Sequence, residues 1–125
     1  MKLFVLDELY AIVRLGPDAE LPGWARGGHF WSVTRTESEL SIVCAQDDVP
    51  DDESAERGWC ALEVSGPPLD FSLTGVVASL VTPLADAAIP IFVLSTFETD
   101  YLLVRERDLE PAVEALTAAG HAVDG

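Results

Sequence analysis

Basic residues are scarce in this chain. Seven Lys and Arg stand against 22 Asp and Glu, a formal charge of −15 over 125 residues. A surface that negative repels phosphate backbones and anionic headgroups, which excludes nucleic acid and membrane surfaces as primary partners. It favours solubility and suits a cationic ligand or partner. Cysteine is limited to Cys44 and Cys60, with no CxxC spacing. Both read as small buried apolar side chains kept reduced, so no disulfide framework is expected. The two histidines, His29 and His121, stand far apart without ligand spacing, and no metal site is expected. No stretch approaches the ~20 apolar residues of a membrane span. The apolar run after Met1 stops at Asp7, too short for a secretory leader, so the expected compartment is the cytoplasm. No GxSxG, Walker or Rossmann glycine pattern is present, and no base stands near Ser95 in sequence. No enzyme activity and no cofactor are expected. The acidic segment 47–53 lacks the D-x-D-x-D-G alternation of a calcium loop and reads as a solvated loop.

The chain does have apolar content: 49% hydrophobic residues, with three Trp and five Phe. That supports a packed core, in one ordinary domain or two very small ones. Short apolar runs at 3–6 and 10–15 predict two short strands, separated by Asp7 and Glu8 and closed by a Gly16-Pro17-Asp18 turn. The Gly- and Pro-rich stretch 19–28 holds at most one helical turn, around Trp24-Ala25-Arg26. Residues 30–35 and 40–44 form a hairpin. Trp24, Trp31 and Trp59 are expected in the core or at an interface.

The second half is more regular. Residues 59–64 alternate as a strand. Val77, Leu80, Val81, Leu84 and Ala88 recur at helical spacing, so the pattern predicts a helix over 76–88, kinked near Ser79 because Pro83 lacks an N–H. The continuous apolar run 89–94 predicts a buried central strand. A polar turn leads to its partner, 101–104. Asp108 is placed to cap a last helix that ends before Gly120, and a short strand 121–123 closes the chain. The order from Trp59 to Val123 is βαββαβ, the ferredoxin-like α+β arrangement of a four-stranded antiparallel sheet with two helices on one face. The expected division is 1–58, a degenerate copy of that unit, and 59–125. No obvious sequence repeat supports the duplication.

At Phe30-Trp31-Ser32-Val33-Thr34-Arg35-Thr36, at 39–43, at 71–80 and above all at 91–104, the chain resembles small bacterial proteins with paired ACT-like domains. Those resemble in turn the regulatory domains of aspartate kinase and the animal cytosolic arginine sensors. The resemblance implies a non-catalytic regulatory fold, commonly homodimeric, that binds amino acids between ACT units. It places ligand contacts at Thr74, Gly75 and Val76 before the first helix, and at Ser95, Thr96, Phe97 and Asp100 at a strand end.

The residue types suit that use. A helix start offers unpaired N–H groups to a carboxylate, and Gly75 lets a ligand approach the backbone. Asp100 can accept from an ammonium or a basic side chain, and Phe97 can cover an aliphatic stem. The same residues have a plainer reading: Gly75 as an ordinary helix start, and Thr and Asp as builders of a hairpin turn. A protein-interaction module that has lost ligand binding is the alternative function.

Overall fold

Asp7 and Glu8 do not interrupt the first strand. The computed structural model describes residues 1–65 and 75–125, and of Val76 the backbone alone. In it one strand, β1 (Lys2–Leu15), replaces the two short strands expected. Charge does not break an extended chain as Gly or Pro does, and neither occurs before Gly16. The Glu8 carboxylate also has a partner in place, the His29 N–H at 2.7 Å.

Beyond β1 the strands are β2 (Ser32–Arg35), β3 (Leu40–Ala45), β4 (Glu56–Ser65), β5 (Ile91–Ser95), β6 (Asp100–Arg105) and β7 (Ala122–Asp124). The helices are α1 (Val76–Asp86) and α2 (Leu109–Ala118). The chain forms two compact units, Glu8–Trp59 and Met1–Asp7 joined with Cys60–Gly125. It passes between them after Asp7 and again after Trp59.

In the smaller unit β3 pairs antiparallel with the second half of β1, from Tyr10↔Ala45 to Leu15↔Leu40, and β2 pairs with β3. Alternate residues Leu40, Ile42 and Cys44 face Ala11, Val13, Ala25 and Val49 in one buried cluster. The stretch between β1 and β2 holds a single 3-10 turn, Gly23–Arg26, which delivers Ala25 to that cluster. Of the tryptophans, Trp24 packs on this cluster, Trp59 is buried and Trp31 is 43% exposed.

In the larger unit the order β4-α1-β5-β6-α2-β7 is the βαββαβ order read from the sequence. The strands lie β7-β1-β4-β6-β5. The unit thus differs from four strands alone: β7 pairs parallel with β1, Lys2↔Ala122 to Phe4↔Asp124, with a Lys2–Asp124 ion pair at 3.2 Å. Leu3 is fully buried there, which gives the chain's start its hold.

Each helix buries one face: Leu80 and Leu84 of α1, Ala112 and Leu116 of α2, both pairs at i,i+4 spacing. The helices pack on each other. α1 stops at Asp86, short of the expected 88, and Ala88 turns the chain with φ 59°. Among the described strands β5 is not central but ends the order, and Ile91 to Leu94 are half-buried. An apolar run shows that both faces meet hydrocarbon, not whether a strand stands on each side.

Candidate functional site

The β5–β6 hairpin closes on Thr96-Phe97-Glu98-Thr99. The Thr96 N–H donates to the Thr99 carbonyl at 2.8 Å, and the Thr99 N–H donates to Thr96 Oγ1 at 3.1 Å. The β2–β3 hairpin closes the same way: the Thr36 N–H bonds the Glu39 carbonyl at 2.9 Å, and the Glu39 N–H bonds Thr36 Oγ1 at 3.2 Å. The Thr96 hydroxyl is thus a turn builder, engaged within its own loop. Phe97, at the tip, is 78% exposed.

Below the turn Ser95 and Asp100 form the last register pair. The Ser95 hydroxyl donates to Asp100 Oδ1 at 2.5 Å. Asp100 is 6% exposed, the one charged or polar residue buried among those described. Its equivalent in the other hairpin, paired with Arg35, is Leu40. A hydrocarbon is buried there at no electrostatic cost, whereas an ionised carboxylate needs donors for about four lone-pair sites. The ion pairs among the described residues, Lys2–Asp124 and Arg14–Glu39, do not reach Asp100.

Two further residues bear on this end of the sheet. Thr99 Oγ1 donates to the Val64 carbonyl at 2.6 Å and ties the turn to the end of β4. Nothing in the sequence signals that bond, because its partners are brought together only by strand order. Next to Asp100, the Tyr101 hydroxyl donates to Glu63 at 3.5 Å; burial, and then the Glu63 charge, raise its pKa above the usual phenol value.

Gly75 stands just ahead of α1 with φ +82°, a left-handed conformation that favours glycine. Among the described residues no side chain caps this helix start, and a Cβ on Gly75 would meet nothing within 4 Å. A groove of about 500 Å³ opens beside it, lined by Ala78, Ser79, Thr82, Pro83 and Asp86 among others. Ser95, Thr96, Phe97 and Asp100 do not line it. Those four are brought together at one hairpin end, and Gly75 opens a second feature. Thr74 lies outside the described residues, as does the side chain of Val76.

Cys44 belongs to neither feature. Burial, and then the charge of Asp48, push its thiol up to about 11 against a partial opposing effect of Arg57, so it stays protonated and is a poor nucleophile. Among the described residues no helix is long and apolar enough to cross a membrane.

The family model of the ACT domain matches residues 54–118, which take in β4, α1, β5, β6 and α2. A second model, described as an N-terminal domain, matches residues 8–52. A crystal structure of a protein from Agobacterium tumefaciens is 46% identical with TM-score 0.91, covering 98% of this chain and 90% of that one. The regulatory subunit of aspartate kinase from Thermus thermophilus is 15% identical with TM-score 0.64, over 94% of this chain and 96% of that one, a likeness of fold alone. The human cytosolic arginine sensor for mTORC1 subunit 1 is 31% identical over 97 residues, 70% of this chain. The chain spans 30% of that sensor's length and 62% of another human relative's. Matched over half its length by that model, and sharing the βαββαβ order, the chain belongs to the ACT domain family.

Proposed function

We propose that this chain is a non-catalytic regulatory module that binds an amino acid at an interface completed by an ACT unit of a second copy. The observation that carries the reading is Asp100: a carboxylate 6% exposed, bonded by the Ser95 hydroxyl and beyond the reach of the chain's described ion pairs. A ligand ammonium or basic side chain supplies the missing positive charge. Phe97 covers the aliphatic stem. Thr74, Gly75 and Val76 offer backbone to the α-carboxylate at the start of α1. Thr96 shapes the turn from which Phe97 projects. The names of relatives as a cytosolic arginine sensor and as a regulatory subunit of aspartate kinase support this reading and a cytoplasmic setting; a homodimer acting on a protein partner is part of the same proposal. The repeated hairpin closure supports reading the first unit as a degenerate ACT-like unit.

The test is a thermal-shift screen of the whole chain against the twenty amino acids at millimolar concentration. A ligand at ~100 times its Kd adds about 2.7 kcal/mol and raises Tm by several degrees. Asp100→Ala is expected to abolish that rise while leaving the chain folded. Equal affinity of Asp100→Ala and the parent removes Asp100 from the site.

A second reading, a docking module that has lost its ligand, is favoured by the exposed Phe97 and by α1, where Asp86 is the one charged residue. It predicts no shift with any amino acid.

A further inference from the structure

Pro83 sits inside α1 and has no N–H to give the carbonyl four residues back, which is that of Ser79. The ring of a proline within a helix also crowds that carbonyl. His121 Nε2 lies 3.0 Å from the Ser79 oxygen. The Ser79 N–H donates to the Gly75 carbonyl at 2.9 Å, so Ser79 is bonded along the helix on one side and by the imidazole on the other. The His121 backbone is itself fixed: its N–H donates to the Leu116 carbonyl at 3.0 Å, at the end of α2. His121 Nδ1 lies 3.1 Å from the Met1 nitrogen. An N–H of Met1 can only donate, so Nδ1 accepts and the ring proton belongs on Nε2, which faces Ser79.

We propose that His121, with a ring proton on Nε2, supplies the hydrogen-bond donor that Pro83 takes from α1, and is the positioning residue that ties this helix to the end of α2. The tie runs through Ser79 to Gly75, the residue that opens α1. This role does not depend on the ligand reading.

A double-mutant cycle on the whole chain tests it. His121→Ala is expected to lower the folding equilibrium constant by about threefold to tenfold, the range of one net hydrogen bond. Pro83→Ala restores a backbone N–H to the Ser79 carbonyl, so in that background the effect of His121→Ala shrinks to less than about half on a logarithmic axis. His121→Gln, whose amide nitrogen reaches the place of Nε2, retains more stability than His121→Asn. An undiminished cost of His121→Ala in the Pro83→Ala background would overturn the proposal. Nitrogen NMR of the parent imidazole gives an independent answer even if a variant fails to fold. The Nε2–H tautomer is expected, and the Nδ1–H tautomer would equally overturn it.

Discussion

Asp100 and Leu40 occupy the same place in two hairpins, one a buried carboxylate and the other a buried hydrocarbon. Burying an ionised carboxylate without a cation costs stability as a rule, so substitution at Asp100 tests whether the residue serves the fold or a ligand. Asp100→Asn keeps the shape and a bond to Ser95 while removing the charge. Its Tm without ligand is expected to rise, equivalent to about 1 kcal/mol, while any amino-acid response is lost. A lower Tm would mean that Asp100 stabilises the fold as it stands. Cys44 gives a pH test. Its thiol is raised in the folded state from 9.0 to about 11, so the folded chain holds the proton more tightly than the unfolded one. The resulting stability is in full below about pH 9 and is lost as pH rises through about 11, on the order of a few kcal/mol for this group. Cys60 is shifted the same way by burial and Glu106 and adds to the loss. Urea midpoints across that range are expected to fall, and less steeply in Cys44→Ala.

The start of α1 was legible as a helix boundary because Gly75 precedes an apolar period, but its conformation was not. The left-handed φ of +82° makes Gly75→Ala strained by about 1–2 kcal/mol even though the added methyl would meet open space. Denaturant unfolding of that variant checks the magnitude, and a loss below a few tenths of a kcal/mol would contradict the left-handed start. Pro83 was legible too, as a missing donor near Ser79. What answers it was not, since His121 lies 42 positions away and meets the helix only because β7 follows α2 back to the chain's start. β5 shows the same limit from the other side. Four apolar residues in a row announced a strand, and its place at the end of the strand order followed from topology.

β1 runs through both units, with Lys2–Asp7 in one and its remainder in the other. A chain beginning at Glu8 therefore lacks the strand that stands between β7 and β4, including the fully buried Leu3. It is expected to lose amide protection in α2 and β7, far along the sequence, and not merely at its own new start. Hydrogen exchange that leaves β7 protected would show that the larger unit closes without β1. The compact unit that contains Leu3 is thus discontinuous in sequence, and no linker composition marks the passage at Asp7.

The βαββαβ order, the two helices and the hairpins could all be read from residue order. Each depends on neighbours within a few positions: apolar period, turn residues and chain breakers act over one or two turns of backbone. The hairpin end at Ser95 to Asp100 was legible as a polar turn between apolar strands for the same reason. Tertiary structure decided that Asp100 is buried while Phe97 is exposed, that Thr99 ties the turn to β4, that β1 is one strand serving two units, and that His121 meets Ser79. Burial and long-range hydrogen bonds depend on which distant segments a strand order makes adjacent, and that is a property of the closed sheet rather than of any local run of residues.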